Sequence, residues 1–288
     1  MLKGLPILLI FLGAALPLGR PFVRTERGTL ILFGASSNSI ALASDSLVKP
    51  DFMAPFHRKK IIPISRFAAC FITGISDFTD LKGLGKGKAE ILREVHLGSV
   101  ISDWGKAHPD AQLPEAYDQI DGKIVELMNN EERKHGELSA DHTNALATFS
   151  CVGYFTGVPM VYSSIYAQAT GEQITRQVQS GQMHQGNLVA IGKAAVCEEV
   201  KTGRAAKEMA DFKSEPAIVK YRKGIASRDR SGISTNDLLV MSRICLEATE
   251  SDEGRRFDAD ASDVGPPNSY AVIDEHRGFN WVSKPPRR

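Results

Sequence analysis

Between residues 29 and 73 the chain runs through four short apolar segments, and nothing else in the sequence constrains the fold as much. Thr29-Leu30-Ile31-Leu32-Phe33-Gly34 reads as a strand, Ala35-Ser36-Ser37-Asn38 as a turn and Ser39-Ile40-Ala41-Leu42-Ala43-Ser44 as the hairpin partner. Lys60-Ile61-Ile62-Pro63-Ile64 and Arg66-Phe67-Ala68-Ala69-Cys70-Phe71-Ile72-Thr73 are joined by one serine, which predicts a second hairpin ended by Gly74. Helical spacing of apolar residues follows over 89–104 and 113–128. Strands are predicted again at 145–154, 158–167, 175–178 and 188–191, helices at 194–212 and 235–251, and closing strands at 269–273 and 279–282. The basic stretch 220–230 reads as a surface loop or insertion.

The order is therefore strands, helices, strands, helices, strands. Each run of strands needs cover on both faces, so the pattern predicts an α+β fold, a four-layer αββα sandwich of two antiparallel sheets with helices outside. No Pro-, Gly- or Ser-rich linker divides the chain, so 29–288 is read as one domain behind a leader of residues 1–28. With 42% hydrophobic and 24% charged residues, disordered and fibrous classes are excluded. A formal net charge of +1 gives no electrostatic case for nucleic acid, and His57-Arg58-Lys59-Lys60 alone reads as a solvated face.

The leader carries its own message. Met1-Leu2-Lys3 is followed by an apolar run from Leu5 to Leu18, the shape of a signal peptide and too short for a stable span of the bilayer. Export is expected, with an uncleaved anchor as the alternative; any membrane contact would come through this segment. The four cysteines, Cys70, Cys151, Cys197 and Cys245, form no CxxC pair; they suit buried free thiols, with pairing open if the protein is exported. His135 and His142 lie in a charged, loop-like stretch and no HExxH is present, so no metal site is expected. Gly-Leu-Gly-Lys-Gly-Lys at 83–88 lacks the Gly-Lys-Ser/Thr ending of a phosphate loop and has no strand directly before it, and no nucleotide or organic cofactor is expected.

Four positions carry chemistry only when taken together. Singly, Thr29 is a strand residue, Asp45 a turn or cap, Lys60 a solvated charge and Gly74 a strand end. In sequence, however, Arg27-Gly28-Thr29-Leu30, Ala41-Leu42-Ala43-Ser44-Asp45-Ser46, Lys59-Lys60-Ile61-Ile62 and Thr73-Gly74 resemble the opening of a proteasome β-type subunit. The separations from Thr29 to Asp45 and from Lys60 to Gly74 are that family's, and the loop between Asp45 and Lys60 differs by one residue. The resemblance implies the N-terminal-nucleophile (Ntn) hydrolase fold and an autocatalytic cut at Gly28–Thr29. Thr29 would be the nucleophile and the Gly74 N–H an oxyanion donor.

Elementary chemistry explains the set. A threonine hydroxyl is a weak nucleophile without a base, and an N-terminal threonine brings its own, an α-amine of ordinary pKa roughly 7.7–8.0. An ammonium such as Lys60 favours the neutral amine and stabilises developing negative charge, and a carboxylate such as Asp45 orients that lysine. Glycine at 28 permits the tight backbone geometry of attack on its carbonyl.

Further along the resemblance rests on element order. Val189-Ala190-Ile191-Gly192-Lys193 places Lys193 where the family usually has serine. Asp260-Ala261-Ser262-Asp263-Val264-Gly265 matches the family's supporting Asp and Ser only with Asp263 in place of the serine. Lys193, Asp260 and Asp263 are thus the expected supports of the Thr29 amine. The expected substrate is a peptide or other amide, with an acylase or amidase acting on a small amide as an alternative. A catalytically inactive scaffold or assembly subunit is the alternative from another class. The resemblance also implies a homo-oligomer, possibly a ring.

Overall fold

The computed structural model describes residues 22–24, 29–48, 56–85, 88–135, 138, 145–168, 173–203 and 215–283. The leader is outside this set except for β1 (Phe22–Arg24). Among the described residues there are several antiparallel sheets and six α-helices, none of them long and apolar enough to cross a membrane.

The predicted first hairpin is β2 (Leu30–Ala35) and β3 (Ser39–Ser44). Both strands are buried throughout, which explains why their apolar residues run continuously instead of alternating with polar ones. They lie centrally in a five-stranded sheet with β13 (Leu188–Gly192), β14 (Ser269–Asp274) and β15 (Gly278–Trp281), in the order β13-β2-β3-β14-β15. Short β4 (Leu47–Val48) and β5 (Phe56–His57) pair beside it. The second sheet has the order β12-β11-β10-β7-β6 and consists of β6 (Ile62–Ser65), β7 (Ala68–Gly74), β10 (Ala145–Phe155), β11 (Val158–Ala167) and β12 (Thr175–Gln182).

Strand periodicity sorts the core into three layers. From β2 and β3, Ile31, Phe33, Ile40 and Leu42 meet Ala69 and Phe71 of β7 and Val152 of β10, so the two sheets share one apolar layer, with Phe33 and Phe71 ring centroids 5.5 Å apart. The alternate residues Leu30, Leu32, Ala41 and Ala43 pack against three helices: α3 (Ala195–Thr202), α4 (Pro216–Ser227) and α5 (Thr235–Glu250). On the far side Cys70, Ile72, Phe149 and Cys151 pack against α1 (Leu97–Ala107) and α2 (Leu113–His135). Each large side chain so buried contributes roughly 1.5–3 kcal/mol. Helix α5 starts at a reciprocal capping box between Ser234 and Asp237, and α6 (Asp252–Phe257) follows it. The layering is compatible with a sandwich.

Four expectations are corrected. Residues 89–96 belong to β9 (Lys88–His96), which pairs with β8 (Asp77–Gly85), the strand that ends in the first residues of the Gly-rich stretch, Gly83 to Gly85; the helix starts only at Leu97. The basic stretch 220–230 falls largely in α4, because Ile218, Tyr221 and Gly224 give it one buried face, Pro216 opens it and Lys220 reaches Asp237 of α5. The cysteines are paired, Cys70 with Cys151 and Cys197 with Cys245. Cys70 and Cys151 are direct cross-strand neighbours on β7 and β10, while Cys197 and Cys245 join α3 to α5. His135 ends α2 instead of lying in a loop. The predicted helix over 194–212 is α3 up to Thr202, and its remainder, like His142, lies outside the described residues.

Candidate active site

Thr29 stands directly before β2 and is buried, 3% exposed. Its carbonyl oxygen accepts the Lys193 N–H at 2.9 Å, and its hydroxyl is buried without a hydrogen-bond partner. A buried hydroxyl left unpaired is costly; those of Ser44, Thr79 and Ser242 share this state, and Thr29 differs from them in its place one residue before Leu30, whose N–H is held by Asp45.

Asp45, the residue after β3, is fully buried and answers Leu30 twice. Its own N–H reaches the Leu30 carbonyl at 3.2 Å, and its Oδ1 accepts the Leu30 N–H at 2.8 Å. The other carboxylate oxygen accepts the Lys60 ammonium at 2.9 Å, and Lys60 also donates to the Leu47 carbonyl at 2.7 Å. The Lys60 side chain is only 4% exposed, so the ion pair is shielded from screening. Burial pushes the Asp45 carboxyl above its ordinary value, against the pull of the Lys60 charge and the N–H groups of Leu30 and Gly265.

Gly74 closes β7 with φ +84°, a conformation that disfavours any residue with a Cβ, and an added Cβ would overlap the Leu146 carbonyl oxygen. An added Cβ would also meet Ala147, the partner of Gly74 on β10. Lys193 meets Thr29 through its main chain, just after Gly192 pairs with Leu30. Asp260 and Asp263 fall in a 3-10 turn, Ala259–Asp263, where Asp263 accepts the Ser262 hydroxyl at 3.4 Å; the Asp260 side chain lies outside the described residues, as does Gly28.

The C-terminal segment reaches the site through a residue that sequence reasoning missed. The Gly265 N–H lies near enough to Asp45 to pull its carboxyl pKa down, and the Gly265 carbonyl accepts the Ser46 N–H at 3.4 Å. A Cβ there would sit 2.8 Å from Leu47 Cδ2, so glycine leaves room for the Leu47 side chain. Its position just beyond Asp263 was the available signal.

A second polar network adjoins the first. The Arg58 N–H donates to the Ser46 carbonyl at 2.9 Å, and its guanidinium holds both oxygens of buried Asp77 at 2.7 and 3.0 Å. Asp77 also accepts from Ser76 at 2.6 Å and meets His96 Nδ1. Burial drives the Asp77 carboxyl upward, but bonds from Ser76, His96 and Arg58 outweigh it and hold the group below its usual range. Asp77, Glu94 and His96 present ligand atoms within 4.8 Å of one another, a spacing a cation would accept. The Arg58 guanidinium already supplies positive charge on Asp77, which makes the cluster an ion-pair network.

No protein-family model matches this chain, and no curated protein matches it.

Proposed function

We propose that this chain is a threonine-type Ntn hydrolase of the proteasome β kind, with its αββα sandwich. It cuts its own Gly28–Thr29 bond and then cleaves peptide or other amide bonds with Thr29. The observation that carries the proposal is the Asp45 carboxylate joining the Leu30 N–H to the buried Lys60 ammonium, one residue from an uncommitted threonine hydroxyl. No structural need explains such a pair at the head of a strand, since replacing a buried ion pair with apolar residues is often neutral or stabilising.

In the reading proposed, the Thr29 hydroxyl attacks the Gly28 carbonyl, the acyl group passes from nitrogen to oxygen, and water releases the leader. The freed α-amine then takes the hydroxyl proton as Thr29 attacks a substrate carbonyl. Lys60 stabilises negative charge near the nucleophile, Asp45 orients Lys60, and the Gly74 N–H is assigned the oxyanion. The amine passes its proton to the leaving nitrogen, and water hydrolyses the acyl-enzyme. Export fits the two disulfides, which persist in oxidising compartments. A homo-oligomer completes the reading.

A scaffold without turnover is the second reading. It is favoured by Asp263 being engaged by Ser262 and by Lys193 meeting Thr29 through its main chain. The mass of the purified chain separates the two. A chain starting at Thr29 supports hydrolysis, and one with Thr29 internal overturns it. Thr29→Ala should remain uncut and inactive on amide substrates.

A further inference from the structure

The leader strand β1 occupies one edge of a three-stranded sheet ordered β1-β8-β9, with Phe22 opposite Thr79, Val23 opposite Phe78 and Arg24 opposite Asp77. The other edge of β8 is taken by β9, so β1 sits where β8 would otherwise present unpaired N–H and C=O groups. We infer that this edge of β8 is a β-addition site for an extended peptide, filled by the leader in the uncut chain and open to a peptide in trans once the leader leaves.

Three features support exchange. First, β1 has only three residues, too short a ladder to hold a free strand. While tethered it is present at millimolar effective concentration, and cutting the chain removes that advantage. Second, the edge is close to the nucleophile. Five Cα steps link Arg24 to Thr29, so the two lie within about 18 Å, and a peptide added to β8 has its next residues in reach of Thr29. The edge is also fixed to the site, because Asp77 is gripped by Arg58, whose N–H is bound to Ser46. Third, the leader is an imperfect occupant. Thr79, opposite Phe22, is 2% exposed and its hydroxyl has no partner in the structure. A peptide with Ser, Thr or Asn at the Phe22 register position supplies one.

Release of the leader rests on the cut at Gly28–Thr29, but the edge itself is tested without it. In full-length Thr29→Ala, amides 77–79 should all be protected from hydrogen exchange, and adding Val23→Pro or the triple change Phe22→Gly, Val23→Ser, Arg24→Gly should expose those facing β1 while those bonded to β9 stay protected. A labelled synthetic peptide with the sequence of residues 19–28 should then bind the triple variant and restore protection, while binding Thr29→Ala alone at least about tenfold more weakly. Edge pairing uses alternate N–H groups. Of two peptides, one N-methylated at positions 22 and 24 and one at 23, only one should lose affinity, by about tenfold. Phe22→Ser in the peptide should tighten binding. Amides 77–79 that exchange alike in Thr29→Ala and in the triple variant, equal binding of the methylated peptides, or no binding to the triple variant overturns the inference; if that variant does not fold, Val23→Pro takes its place for the peptide. Binding without any cut in the wild-type chain leaves the edge standing and removes Thr29 as nucleophile. A cut without binding does the reverse.

Discussion

Gly192 lies so close to Thr29 that a side chain on it would overlap the Thr29 carbonyl oxygen. Its φ of +88° would itself strain an L side chain. The strand end that carries Lys193 therefore approaches Thr29 only because residue 192 has no Cβ. Gly192→Ala should destabilise the fold by about 2 kcal/mol or more, the sum of a left-handed penalty and a displaced backbone. Gly122→Ala, in the exposed middle of α2 with nothing within 4 Å of the added carbon, should stabilise by about 1 kcal/mol. Urea midpoints of the two variants check both signs.

The Asp45–Lys60 pair makes a sharper demand. Lys60→Met strands a buried carboxylate and should cost about 3–5 kcal/mol. The double variant Asp45→Asn, Lys60→Met should recover part of that loss, so a double-mutant cycle should show coupling well above 0.5 kcal/mol. Additive single effects would mean the pair is not formed.

Acid should unfold the protein partly through Asp274. The Arg277 N–H, the Arg277 guanidinium and the His276 N–H bind its carboxylate and hold its pKa at about 2. An unfolded aspartate titrates near about 3.9. The folded value is depressed, so this contribution is complete above about pH 4 and is lost as pH falls toward 2. Asp274→Asn should therefore be less stable than wild type at pH 7, and the gap in urea midpoint should close between about pH 4 and 2. A gap that stays constant refutes the assignment.

The cysteine pairing is checked by peptide mapping without reductant. The map should yield links 70–151 and 197–245 and no other, with no cysteine open to alkylation in denaturant. Replacing both members of one pair by serine should cost about 2–5 kcal/mol.

The first four strands were legible because local signals agreed: apolar runs, a Ser-Ser-Asn turn and a closing glycine all point the same way. Asp45 and Lys60 were legible as a spaced pair, although only the fold shows that the Leu30 amide and Leu47 carbonyl complete their bonding. The 89–96 segment misled because Ile91, Leu92 and Val95 fit one helical face while Ala89, Ile91 and Val95 fit a strand face, and its partner β8 settles the matter through pairing that no local window contains. In α4 the lysines and arginines hid an apolar residue at every third position, Ile218 and Tyr221 with Gly224. Disulfide partners 81 and 48 residues apart leave no local trace at all. Gly265 was overlooked because its contribution is a main-chain N–H, which no side-chain motif records.

One disulfide lies wholly within the sheet that contains β7 and β10, and the other wholly within the helices over the opposite sheet. Neither crosses the seam where Phe33 meets Phe71. The disulfides thus stiffen two half-shells separately and leave the joint between them to apolar contact and to polar bonds such as that from the Phe279 N–H to the Arg66 carbonyl at 2.7 Å. Any shift of one shell against the other needs no disulfide exchange, and a reducing agent would loosen each half without acting on the seam.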